Sequence, residues 1–170
     1  MATGVGTLFK TLLSSGGATL SASTFKAVLY STGYLDIAST ARMSQDYVLN
    51  PTNSSQSLQA YQLTTVAAVT LGARTMTEVD ARYAVEIDST DITFTAAASS
   101  AISSTAATGP GVAGGVAIYA ELQSAASSGQ VLACFYDFTT ALTLNGGDVT
   151  VQFSTGGWLE FLASTSNATP

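Results

Sequence analysis

The stretch Thr140–Trp158, TALTLNGGDVTVQFSTGGW, carries the sharpest structural signal in the chain. Leu142 and Leu144 alternate with Thr143, and Val149, Val151 and Phe153 alternate with Thr150 and Gln152. Asn145-Gly146-Gly147-Asp148 lies between the two runs. A two-residue turn at Gly146-Gly147 predicts a hairpin in which Leu144 faces Val149 and Leu142 faces Val151. Every large apolar residue then falls on one face. The other face carries Thr143, Thr150 and Gln152 and no charge, which suits a surface that packs against other protein.

Outward from this stretch, the last third of the chain reads as a series of short strands: GVAIYAEL from Gly115, QVLACFYDF from Gln130, ALTL from Ala141, DVTVQF from Asp148 and WLEFL from Trp158. SAASSGQ supplies a second hairpin connector. Farther upstream, Thr24–Tyr30 (TFKAVLY) places Phe25, Ala27 and Leu29 on one side and Lys26, Val28 and Tyr30 on the other. A strand apolar on both sides belongs in a sheet covered on both faces. Tyr83, Val85 and Ile87 alternate with Arg82, Ala84, Glu86 and Asp88, the residues Asp88–Asp91 turn the chain, and Ile92 and Phe94 resume the apolar side. NSSQSLQAYQL from Asn53 and the TTVAAVTLGARTMTEV that follows, to Val79, read as one or two strands with a turn near Gly72. Thr7–Leu13 has the i, i+4 apolar spacing of two helical turns, and Asp36–Pro51 holds one or two more short turns. Strands this closely spaced, without intervening long helices, predict an all-β fold: one domain over residues 1–170, an antiparallel β-sandwich with a short N-terminal helix.

Residues Ala96–Gly115 (AAASSAISSTAATGPGVAGG) interrupt the pattern with small side chains that lack the bulk to form core. They read as a surface loop, or as an arm that orders against a neighbour. Gly109, Pro110, Gly111 and Val112 are its candidate interface residues. On the arm reading, deletion of Gly109–Gly114 leaves the sandwich folded and weakens association.

Composition narrows the function. Charged residues make up 9% of the 170, against roughly 25% in an ordinary soluble domain. Hydroxyls replace them, with 21 Ser and 25 Thr, and so neutral a surface favours assembly. The net charge is −6 and the five cations, Lys10, Lys26, Arg42, Arg74 and Arg82, are scattered. Tracking phosphates needs several cations on one face, so no nucleic-acid partner is expected. The longest strongly apolar run, Val66–Leu71, is too short to span a bilayer. No basic segment followed by an apolar stretch opens the chain, so no signal peptide and no membrane partner are expected.

Catalytic chemistry finds little support. The chain has no His, which removes Ser-His-Asp and Cys-His arrangements and His-bearing zinc sites. Cys134, the single cysteine, sits among Leu132, Phe135 and Tyr136 and reads as a small buried apolar residue. Glu86, Asp88 and Asp91 cluster around one turn as hard-cation ligands do, yet they lack a calcium-loop pattern and read as a solvated strand face and turn caps. Asp137, between Tyr136 and Phe138, is expected to be partly buried in a hydrogen-bonded structural role. The aromatics concentrate in the last third, at Tyr119, Phe135, Tyr136, Phe138, Phe153, Trp158 and Phe161, and most of these are expected in the core. No catalytic residue, metal or cofactor is expected.

The order of these elements resembles a family of small structural proteins of tailed-bacteriophage virions, the capsid decoration (cement) proteins, over Leu8–Leu162. The resemblance rests on a short opening helix, then STFKAVLYS from Ser23, VEIDSTDITF from Val85, GVAIYAEL, QVLACFYDF and the closing GGDVTVQFSTGGWLEFL. Ala96–Gly115 is longer and richer in Ala and Ser than that family pattern. The resemblance implies a non-enzymatic virion protein, assembled in the host bacterial cytoplasm. Such a protein binds the major capsid protein across subunit boundaries and self-associates, as a trimer by analogy with cement proteins. A tail or fibre-associated adaptor of the same virion is the alternative.

Overall fold

The structure, a computed structural model, describes residues 4–16, 23–38, 41–42, 58–72, 74–79, 84–97, 111–121, 130–153 and 157–162. In chain order the elements are β1 (Gly4–Val5), α1 (Thr7–Ser15), β2 (Thr24–Ser31), a 3₁₀ turn (Thr32–Asp36), α2 (Leu58–Tyr61), β3 (Val69–Thr70), β4 (Arg74–Val79), β5 (Ala84–Ser89), β6 (Ile92–Phe94), β7 (Val112–Glu121), β8 (Gln130–Thr143), β9 (Val149–Val151) and β10 (Leu159–Leu162). They form a five-stranded sheet ordered β1-β8-β7-β2-β3, a three-stranded sheet β10-β5-β4 and a two-stranded sheet β6-β9. All pairings are antiparallel. The fold is all-β with a short N-terminal helix, as the strand spacing predicts.

The large sheet is apolar on both faces because β2 and its neighbours are. Phe25, Ala27 and Leu29 from β2 join Val116, Ile118 and Ala120 from β7 and Val131 and Ala133 from β8 in the main core. Ile87, Ile92, Phe94, Trp158 and Leu159 from the two smaller sheets and their approaches close that core from the other side. Helix α1 seals it with Phe9, whose ring meets Phe25 edge-on at 5.8 Å. Val28, Tyr30, Ala117, Tyr119, Leu132 and Phe135 point the other way, into a second cluster covered by Tyr34 of the 3₁₀ turn and Leu58 of α2. The alternation in TFKAVLY therefore sorts correctly into two packed faces. Lys26 is the exception, and it pairs with Glu121 of β7 at 2.8 Å on the partly exposed rim.

The hairpin expected at Thr140–Trp158 does not form. QVLACFYDF and ALTL are one strand, β8, whose end pairs with β7 (Val112↔Thr143, Ala113↔Leu142). β9 pairs instead with β6, setting Val151 opposite Ile92 and Val149 opposite Phe94. The reversal at Gly146 is real, with φ +90°, and Asn145 Oδ1 accepts from Gly147 N–H at 3.0 Å. What differs is the partner. Ala97 donates to the Gly147 carbonyl and accepts from Gly146 N–H, Asp148 Oδ1 accepts from Ala96 N–H at 2.9 Å, and the Thr93 and Thr150 hydroxyls meet at 3.1 Å. These bonds draw the turn onto the end of β6. Alternation specifies which face a residue occupies, not which strand lies beside it. Asp148→Ala removes one of these bonds at an exposed site and should cost about 1 kcal/mol, read from the urea midpoint.

The low-complexity stretch is corrected at its ends. Val112–Gly115 belongs to β7, not to a loop, and Ala97 is buried. Deletion of Gly109–Gly114 would therefore remove sheet residues and cannot leave the sandwich intact. The hairpin expected at SAASSGQ agrees with the pairing of Glu121 with Gln130, although the connecting residues 122–129 lie outside the described residues.

Candidate functional site

The unzipped hairpin leaves a cleft. Its cavity of about 520 Å³ lies between the second half of β8, from Tyr136 to Leu142, and the segment Val149–Phe153, with Gly157 at one end. The Tyr136 and Phe153 rings, 6.1 Å apart, bridge the two walls. Phe138, Val149 and Val151 are half-buried there against the main core. Thr139, Thr140 and Gln152 line the mouth, and Leu142 is 39% exposed.

The backbone of the β8 wall is irregular. Gly115 of β7 pairs with Asp137, and Ala113, two residues earlier, pairs with Leu142. Five steps on β8 thus face two on β7, and Phe138–Ala141 have no cross-strand partner among the described residues. A bulge of this kind re-aims side chains and ends ladder pairing.

Asp137, the one charged residue in the lining, is neutralised from behind. Arg42 Nη1 donates to its Oδ1 at 2.6 Å and Nη2 to its Oδ2 at 3.0 Å. The Tyr30 hydroxyl lies 2.6 Å from Asp137 Oδ1 and 2.7 Å from the Tyr136 carbonyl oxygen. Arg42 is 4% exposed, with its guanidinium 4.4 Å from the centroid of Phe135 and 5.2 Å from that of Tyr34. Partial burial alone would raise the Asp137 carboxyl. The hydrogen bonds from Arg42 and Tyr30, together with the Arg42 charge, outweigh it and hold the carboxyl below its ordinary value. Burial first, and then the neighbouring carboxylate, pushes the Tyr30 phenol upward, so it remains a neutral donor. The partly buried, hydrogen-bonded role expected of Asp137 is what the structure shows. The Arg42 half was not foreseen, since 95 residues separate the two and no local spacing links them.

The other singled-out residues are dispersed. Asp88 Oδ1 accepts from Ser89 N–H at 2.8 Å within its own turn, whereas Asp91 Oδ1 accepts from Phe153 N–H at 3.1 Å, 62 residues away, and ties the start of β6 to the end of the β9 segment rather than capping a turn. Glu86 is buried on β5, not on the solvated strand face expected of it. Among the described residues no group of three His, Cys, Asp or Glu side chains is placed to hold a metal, and no helix is long and apolar enough to cross a membrane. Of the candidate interface residues, Gly109 and Pro110 lie outside the described residues. Gly111 is buried at φ +79°, with its carbonyl accepting from Leu144 N–H at 2.6 Å. Val112 opens β7, half-buried. Val112 thus belongs to the large sheet, and Gly111 is the turn residue that leads into it.

Cys134 is fully buried on β8, and burial pushes its thiol up to about 12. A thiolate-specific reagent at pH 8 should leave it unmodified in the native protein and label it on unfolding. Rapid labelling without denaturant would contradict its placement. Trp158, Phe135 and Tyr119 are core residues, as expected, whereas Phe153 is half-buried at the cleft and the Phe161 side chain lies outside the described ones.

Comparison of the chain with protein families, with curated proteins and with solved structures finds no match.

Proposed function

We propose that the protein is a non-enzymatic structural component of a phage virion, a decoration protein that docks on the capsid across subunit boundaries and holds the shell closed. One observation carries the docking part of this reading: many of the described charged side chains, those around the β8–β9 region included, are engaged within the fold, whereas Lys10 and Asp36 are exposed elsewhere. Lys26 and Glu121 pair with each other, as do Arg42 and Asp137. Arg74 donates to the Ser23 carbonyl, and Asp91 and Asp148 accept from backbone N–H groups. The β8–β9 region is left presenting threonine, glutamine and aliphatic side chains. Little charge has to be desolvated when such a surface docks. The capsid assignment is supported by the resemblance in element order. Its quoted segments fall on β2, on β5–β6, on β7 and on β8–β10.

A protein that binds the closed shell better than its open form favours closure by mass action. Many weak copies sum to a large holding free energy through multivalency. The test is co-sedimentation of the purified protein with capsid shells that lack it, followed by heating. Stoichiometric binding and a higher shell disruption temperature are expected. Failure to bind shells, or binding at only a few copies per particle as a tail adaptor would, overturns the decoration reading.

A further inference from the structure

We infer that the β8–β9 cleft accepts an uncharged extended segment of a partner polypeptide, which adds as a strand along Phe138–Ala141. The inference deepens the docking reading and rests on it.

Three observations converge on this occupant. Phe138–Ala141 sit within a strand yet have no cross-strand partner among the described residues. Thr139, Thr140 and Ala141 are exposed, and these residues have no ladder partner on either side among the described residues. Exposed strand edges of this kind take up extended peptides through main-chain bonds, with alternate side chains held in pockets. Beside this edge lies an apolar recess about 520 Å³ in volume, whose opposite wall is Val149, Val151 and Phe153. That is room for the alternate side chains of a short strand. Leu142 is one of two large hydrophobic residues exposed among the described ones, and it stands in this recess. The occupant's charge is set by the lining. The one charge there, Asp137, is already held by Arg42 and Tyr30. A charged incoming side chain would be desolvated without a free counter-ion. A segment alternating small aliphatic and hydroxyl side chains fits.

The probe is a blocked peptide of about seven residues alternating valine and threonine, which matches the span Tyr136–Leu142 at about 3.3 Å per residue. Amide hydrogen exchange on the full-length protein should show new protection at Phe138–Ala141 when the peptide is added. The same peptide N-methylated at alternate residues should give none, because it cannot complete the ladder. Leu142→Asp should weaken peptide binding at least about tenfold. Met76→Asp, at a 62% exposed site outside the cleft, should leave binding unchanged. No protection, equal binding of the N-methylated peptide, or an unaffected Leu142→Asp variant would overturn strand addition. If wild type still co-sediments with shells in that case, the docking reading stands without it. If sedimentation shows an oligomer that Leu142→Asp converts to monomer, the cleft belongs to a second copy and the partner assignment is wrong.

Discussion

Gly115→Ala should destabilise the protein by about 3 kcal/mol. A methyl group at this position would stand 2.1 Å from the Tyr136 carbonyl oxygen and 2.1 Å from the Tyr30 hydroxyl. Neither can yield. The carbonyl belongs to the β7–β8 ladder, and the hydroxyl is held between that carbonyl and Asp137. Glycine is required here for space, so that β7 can pass over a phenol tucked beneath it. Gly146→Ala makes the useful contrast. Its Cβ would meet nothing within 4 Å, and the cost is only the strain of φ +90°, about 1 kcal/mol. Urea unfolding of the two variants should separate them clearly. Equal stabilities would contradict the packing described around Tyr30.

Asp137→Ala should cost about 3 kcal/mol and change how stability depends on acid. The large term is the stranded partner. Arg42 is 4% exposed and packs over Phe135 and Tyr34, so removing its carboxylate leaves a guanidinium charge buried without compensation. The acid dependence follows from the lowered carboxyl of Asp137. In the unfolded chain this group takes up a proton near its ordinary value of about 4, and in the folded protein only at lower pH. Its contribution to stability is therefore complete above about pH 4 and is lost as the pH falls through the native value. Wild type should weaken over that window, and Asp137→Ala should weaken less steeply from a lower starting point. Parallel acid limbs, or a loss below about 1 kcal/mol, would show that the pair is a dispensable surface contact.

Most element types were legible because they rest on local periodicity; Leu58–Tyr61, in a segment that reads as strand, is instead helical. TFKAVLY carries apolar residues on both sides, Lys26 excepted, and β2 is packed on both faces. Ile92 and Phe94 were placed inward by simple alternation and are buried. The partners were legible only where a connector is short and its flanks have no competing edge, as for β7 and β8. At Asn145–Asp148 a bend at Gly146 was legible, but neither the two-residue turn nor the pairing forms as expected, because the turn residues bond to Ala96 and Ala97 instead. Those two alanines carry no sequence signal of any kind. The site followed the same rule. Asp137 stood out as a carboxylate between two aromatics, but its clamp, Arg42, comes from a distant segment with no strand pattern. The cleft itself was invisible in the sequence, since it exists where an expected pairing fails.

Electron cryomicroscopy of phage capsids incubated with this protein tests the proposed decoration role most directly. The account predicts many copies seated over the boundaries between capsid subunits, with no covalent link to them. Copies confined to the tail, or shells whose boundaries are bare, would contradict it.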